Sequence, residues 1–273
     1  MKKLIYISLA IILISCNTIS NDSRFGVVYQ DSKTAQISDE KSDYWLARQN
    51  TLQENFISTQ KFYKEEGSLI LDYKYPHLDE EYNPVFSSFN SFIEKTYLRT
   101  EKSVQQVLHN NDLSCDPIFK DAERKRRNID YKIYTKNDQF LSVLLYKTNY
   151  YDEEHHNSFM FKGLNYDLKT GMFITYSDLF ENNSDKFLLF KLNQELQARI
   201  GGQDSFNDCW EFTKDKFEVS KNNFVVNSEH IKFYFDDCAV CPTYSGNYFL
   251  EIPLEELSSI LKTGKSESSY FKS

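Results

Sequence analysis

A chain of 273 residues with a formal charge of −8 is long enough for one large domain or two small ones. The acidic balance argues against nucleic acid and anionic lipid as partners and favours basic ones through long-range steering. With 19 Tyr and 22 Phe against 8 Gly and 5 Pro, the composition points to a sheet-rich fold whose strands carry large side chains.

Lys2 and Lys3 precede an apolar run from Leu4 to Ile14 that is too short for a permanent membrane span. Leu13-Ile14-Ser15-Cys16 is a lipobox and looks like a bacterial lipoprotein signal. Residues 1–15 are expected to be cleaved and Cys16 lipidated on its thiol and new amine; the rival reading is an ordinary signal peptide with an incidental cysteine. One acyl chain is a marginal anchor, at about 0.8 kcal/mol per buried CH₂, and several chains hold firmly. Loss of Lys2 and Lys3 would take the charge from −8 to −10. The expected location is the bacterial cell envelope, outside the cytoplasm.

Residues 16–66 read as a tether and polar arm. From Asp31 to Glu66, scattered Tyr44, Trp45, Phe56, Phe62 and Tyr63 leave three readings: a loose arm, an edge strand, or a segment that orders on a partner. The rest of the chain divides into two sequential α+β subdomains, 67–168 and 169–262, then a polar tail, 263–273.

In the first subdomain, Leu69, Leu71 and Tyr73 alternate with polar neighbours in a strand that Pro76 is expected to end. Asn83-Pro84 opens a long helix, with Phe86, Phe89, Ile93 and Tyr97 on one stripe that Val104, Val107 and Leu108 extend. The basic run Arg124-Lys125-Arg126-Arg127 reads as a solvated loop, or as a grip for an anionic polymer. Ile129–Tyr134 is a strand. Gln139–Tyr150 is apolar on both faces, with Phe140, Leu144 and Tyr146 opposing Leu141, Val143 and Leu145; it reads as a central strand. Ser158–Leu168 and Met172–Thr175 are strands joined by a tight Lys169-Thr170-Gly171 turn.

In the second subdomain, Asp185–Ile200 is a helix with Leu189, Leu192, Leu196 and Ile200 as its stripe, stopped by Gly201-Gly202. Phe224–Val226 and Ile231–Phe235 form a hairpin around Asn227-Ser228-Glu229. Tyr248, Leu250 and Ile252 mark a last strand, which Pro253 converts into a helical turn. The class is α+β: mostly antiparallel sheets packed with two long helices.

Chemistry is sparse. The five histidines offer no pair one helical turn apart, and His155-His156 reads as an exposed turn, so no metal and no cofactor are expected. There is no G-x-S-x-G nucleophile elbow. Asp236-Asp237 and Glu153-Glu154 read as solvated turns. With Cys16 lipidated, Cys115, Cys209, Cys238 and Cys241 remain, an even number that outside the cytoplasm implies two disulfides. Three pairings are open; the preferred one is Cys238–Cys241 with Cys115–Cys209. Cys238-Ala239-Val240-Cys241 has redox spacing, but Pro242, Gly246 and a strand follow it where a redox fold would open a helix. A structural bridge is the preferred reading over a catalytic dithiol or a four-thiolate zinc site. Pro242, Tyr244, Asn247 and Tyr248, on the loop between the last two strands, are the candidate binding residues.

The order of several short motifs adds a resemblance. These are Tyr73-Lys74-Tyr75-Pro76, Asn83, and Phe89-Asn90-Ser91-Phe92-Ile93; then Leu164-Asn165-Tyr166-Asp167-Leu168, Thr170-Gly171 and Tyr176-Ser177-Asp178-Leu179-Phe180; and last a loop with Ser245-Gly246, a strand ending Ile252-Pro253, and Leu254-x-x-Leu257. In this order, over roughly Gly67 to Leu261, they resemble the RsiV-like extracytoplasmic domain family. That family includes the lysozyme-sensing part of an anti-sigma factor and the non-catalytic half of PdaC-type peptidoglycan deacetylases. Where the family carries aromatic and small apolar residues this chain has Cys238 and Cys241, so ligand contacts from that loop do not transfer. No deacetylase domain follows Leu261 and no cytoplasmic segment precedes the signal, so neither the deacetylase nor the anti-sigma role is expected. The resemblance implies a non-enzymatic envelope module binding a lysozyme-like hydrolase or peptidoglycan. The alternatives are an extracytoplasmic thiol-disulfide protein using Cys238 and Cys241, and a structural lipoprotein.

Overall fold

The computed structural model describes residues 56–99, 102, 125–151, 157–200, 209–241 and 248–262. Among these, nine strands form two sheets that follow one another along the chain, one of six strands and one of three. The class is α+β, as the alternating patterns imply. No helix among the described residues is long and apolar enough to cross a membrane.

The larger sheet runs in chain order: β1 (Ile57–Glu66), β2 (Leu69–Leu78), β3 (Lys125–Lys136), β4 (Phe140–Tyr151), β5 (Ser158–Asp167) and β6 (Met172–Phe173). All neighbours are antiparallel except β2 and β3, which are parallel over Leu69–Tyr73 and Lys125–Ile129. A parallel pair needs a long crossover, and the described part of it is helical. The last ten residues of the polar arm form the edge strand β1, largely exposed and studded with Lys61 and Lys64, charges that discourage a further strand from adding.

Pro76 does not end its strand: β2 continues to Leu78. The Asp79 N–H donates to the Phe56 carbonyl, and antiparallel alternation from there makes Thr59–Pro76 a pair that exchanges no hydrogen bonds. The absent N–H therefore points away from β1, to the side where β3 has already left the ladder after Tyr73.

Asn83 caps the helical crossover, accepting the Val85 N–H at 3.2 Å, with Pro84 at the first position. The helix is composite: a 3₁₀ turn (Pro84–Phe86), then α1 (Ser87–Phe92), then a π-helical stretch (Ile93–Leu98) closed by left-handed Arg99. Phe86, Phe89, Ile93 and Leu98 bury themselves on one face of the sheet with Leu71, Tyr73, Leu141, Val143, Leu145 and Tyr166. The extension through Val104 and Leu108 lies outside the described residues. Asn90, on the inner face of α1, accepts the Leu78 N–H at 2.9 Å and donates to the Leu78 carbonyl at 2.8 Å, finishing β2 where no strand faces it.

β4 is central, as its two apolar faces require: Leu141, Val143 and Leu145 meet the helix while Phe140 and Leu144 enter clusters on the opposite side. The β5–β6 turn forms as its residues imply. Asp167 Oδ1 accepts the Lys169 and Thr170 N–H groups at 2.9 Å each, and Gly171 sits at φ 72.

After α2 (Tyr176–Leu179), whose start is a Thr175–Asp178 capping box, α3 spans Asp185–Ile200. Its buried residues are Leu188, Leu192 and Leu196, with Leu189 only half-buried, so the stripe steps by four from Leu188. α4 (Lys214–Ser220), which the sequence pattern does not announce, is capped by Thr213 and anchored by a single buried Phe217. Strands β7 (Phe224–Val226), β8 (His230–Tyr234) and β9 (Phe249–Pro253) make the small sheet, and α5 (Leu254–Leu257) follows Pro253 directly.

The small sheet sits on the second face of the large one through polar stitches. Asn165 donates to the Phe224 carbonyl at 2.9 Å and accepts Ser142 Oγ–H at 2.7 Å, while Ser142 Oγ accepts the Val226 N–H at 2.9 Å. Gly163 lies so close to Phe224 that a Cβ there would be 2.3 Å from its carbonyl oxygen.

Candidate functional site

The described part of the basic run is not a loop; Arg124 lies outside the described residues. Lys125, Arg126 and Arg127 open β3, and because successive strand residues face opposite ways, Lys125 and Arg127 turn inward on the helix side while Arg126 faces the other. Arg127 is 0 % exposed and donates Nε–H to Asn149 Oδ1 at 2.7 Å. Arg126 pairs with Asp72 at 2.7 Å and donates to Asn128 Oδ1 at 2.7 Å. The loop expectation failed because charge alone does not reveal that a cross-strand Asn accepts a hydrogen bond from the guanidinium where it is buried.

Asn149 lies opposite both Arg127 on β3 and Ser158 on β5. This polar row crosses the end of an otherwise apolar face. Beside it, Tyr97 places its ring under Lys147, with Nζ 4.3 Å from the centroid. Burial holds the Tyr97 phenol well above its ordinary value, Asp236 adding to this and Arg127 opposing it. Next to Ser158, Asp237 Oδ2 accepts the Phe159 N–H at 2.6 Å, and Asp236 Oδ1 accepts that of Phe161 at 2.7 Å. Burial pushes the Asp237 carboxyl up to about 7 against the lowering effect of the Phe159 bond. The Asp236-Asp237 pair is thus half wrong as a solvated turn: Asp236 is exposed, Asp237 largely covered.

Immediately beyond lies the cysteine turn. Cys209 and Cys241 are joined by a disulfide across a sequence separation of 32. Cys238, at φ 60, is disulfide-bonded too, and its partner lies outside the described residues. The preferred pairing of Cys238 with Cys241, and of Cys115 with Cys209, is therefore corrected. The spacing of a C-x-x-C motif does not decide its pairing; the chain path brings the segment of Cys209 alongside, with the Trp210 N–H donating to the Val240 carbonyl at 2.8 Å.

Of the other sequence candidates, Cys16, Cys115, Pro242, Tyr244 and Asn247 lie outside the described residues. Tyr248 is buried, its ring 5.1 Å from Phe159 and 5.2 Å from Phe161, so it serves the junction between the sheets and offers little to a visitor. Among the described residues no three His, Cys, Asp or Glu converge as a metal set. The described histidines, His77 and His230, face Glu94 at 4.0 Å and Glu229 at 3.8 Å. What the sequence missed here is Arg127, Asn149, Ser158 and Asp237. For Arg127, Asn149 and Ser158 the one visible signal was a polar row at corresponding ends of three strands whose middles are apolar.

Residues 177–255 match a family model described as "Protein of unknown function (DUF3298)". This stretch runs from α2 to the first turn of α5 and contains the whole small sheet. The chain is also similar in fold to a crystal structure of a DUF3298 family member from Bacteroides fragilis: 16% identity, TM-score 0.53, covering 78% of this chain and 97% of that one. A DUF3298 family protein from Pseudomonas aeruginosa matches at 12% identity and TM-score 0.49 over 77% of this chain and 96% of its own. No curated protein matches the chain.

Proposed function

We propose that this chain is a lipid-anchored, non-enzymatic binding module of the bacterial cell envelope, whose ligand is a lysozyme-like hydrolase or peptidoglycan. The observation that carries the reading is that Cys209, Cys238 and Cys241, all the cysteines among the described residues, are disulfide-bonded. Such bridges persist in oxidising surroundings, which is where the lipobox at Cys16 would deliver the chain. The ordered motifs resembling the RsiV-like family supply the ligand class. The acidic balance suits a basic lysozyme.

The thiol-disulfide alternative loses support, because Cys238 and Cys241 each bond elsewhere and the C-x-x-C does not close on itself. The test is retention of the mature soluble chain, disulfides intact, on immobilised lysozyme and on purified peptidoglycan. Retention on one of them, weakened by salt for the lysozyme, is expected; passage through both columns would discard the ligand class and leave the structural-lipoprotein reading. Labelled palmitate incorporated into wild type and lost in Cys16→Ala is the expected result for the anchor.

A further inference from the structure

Among the described residues no strand pairs with the outer edge of β5 over Phe159–Gly163, since β6 pairs only with Tyr166 and Asp167. Side chains replace that strand. Asn223 Oδ1 accepts the Gly163 N–H at 2.6 Å and its Nδ2 donates to the Phe161 carbonyl at 3.1 Å. Asp236 and Asp237 take the next two amides along, and the Asp237 N–H returns a bond to the Phe159 carbonyl at 3.0 Å. Alternate residues of a strand direct their amides to the same edge, so two adjacent carboxylates outside the strand can clip Phe159 and Phe161.

The two clips differ in setting. Asp236 is exposed. Asp237 is largely covered; its Oδ1 is buried without a hydrogen bond, and the neighbouring Tyr248 and Ser158 hydroxyls lower its pKa less than burial raises it. A buried carboxyl with one oxygen unbonded is costly as an anion and far less so as an acid. The groups facing the pair are Ser158 and Lys162 of β5, Tyr248 before β9, and Tyr97 of the π-helical stretch, with Asp236 itself the like charge nearest Asp237. Burial lowers the Lys162 ammonium pKa, and its charge partner is Asp236, with no part in holding Asp237.

We infer that Asp237 is a proton-controlled clasp, which when neutral holds the disulfide-bearing turn on the free edge of β5 and when ionised loosens it. The turn runs straight from Asp237 into Cys238 and on to the Cys209–Cys241 bridge, so the clasp governs how firmly that turn is attached. Closed, the carboxyl keeps its proton up to about pH 7; open, it returns to its ordinary 3.8. The closed state therefore binds more protons between those values. Opening becomes easier as pH rises from about 4 to about 7, by up to ~10-fold per pH unit, and is pH-independent above that.

Amide hydrogen exchange at Phe159 and Phe161, corrected for intrinsic rates and measured from pH 5 to 8.5 on the oxidised chain, tests this. Protection should fall at least ~10-fold between pH 5 and 7 in wild type and then level off, and stay flat in Asp237→Asn. Asp236→Asn, which removes the like charge, should move the levelling-off point to lower pH. Equal pH profiles in wild type and Asp237→Asn overturn the clasp. If Asp237→Asn does not fold, a carbon-13 titration of the wild-type Asp237 carboxyl decides: a midpoint near 7 upholds the clasp and one near 4 ends it.

Discussion

Arg127 shows how much one side chain can be asked to do. It is fully buried in a strand, and Asn149 opposite takes its Nε–H at 2.7 Å. Removing the guanidinium takes a charge-assisted bond from that buried carbonyl oxygen, and a bond to a charged group is worth about 1.5–3 kcal/mol. Arg127→Met is expected to lower unfolding stability by about 2–3 kcal/mol in urea titrations. Arg126→Ala, which breaks a pair with half-exposed Asp72, should cost under about 1 kcal/mol. Equal costs for the two would refute the account of the inward row. The same logic explains the motif residues that carried the family resemblance. Asn90 finishes β2, Asn165 stitches the sheets, Asp167 folds the hairpin turn and Asp178 caps α2. Each satisfies backbone groups, so these residues specify the fold and say little about a ligand.

Among elements, β5 and β7 approach closely at Gly163. Gly163 meets the Phe224 backbone with no room for a methyl, and backbone cannot step aside as a flexible side chain would. Gly163→Ala should destabilise the protein by about 3 kcal/mol or more and shift the near-ultraviolet signal of the rings between the sheets, Tyr134, Phe161 and Tyr234. A substitution tolerated within about 0.5 kcal/mol would mean that the sheets do not meet as described. The edge of β5 next to this contact is closed by Asn223, Asp236 and Asp237 in place of a strand, which protects it from foreign pairing.

For the whole molecule, the Cys209–Cys241 bridge ties the segment after α3 to the turn before β9. Closing a loop of 32 residues restricts the unfolded chain by about 3–4 kcal/mol in the loop-entropy estimate. The double variant Cys209→Ser/Cys241→Ser should lose roughly that much stability. Peptide mapping of the non-reduced wild type should recover Cys209 and Cys241 in one linked peptide; a linked Cys238–Cys241 peptide instead would overturn the pairing.

The elements themselves were legible from the sequence wherever burial imposes a period. Asp185–Ile200, the β7–β8 hairpin, the two-faced β4 and the Pro253 switch into α5 all come from local spacing and turn chemistry. The α+β class comes from their order. Three things needed the tertiary structure, because each depends on residues distant in the chain. Pro76 stays within β2 because β3 has already left its side of the ladder. Arg127 of the basic run is buried with Asn149 standing across from it to accept its Nε–H. Cys241 bonds Cys209 because α3 and the segment after it return to the turn before β9. Periodicity reports which face of an element is covered; only the assembled chain decides what covers it.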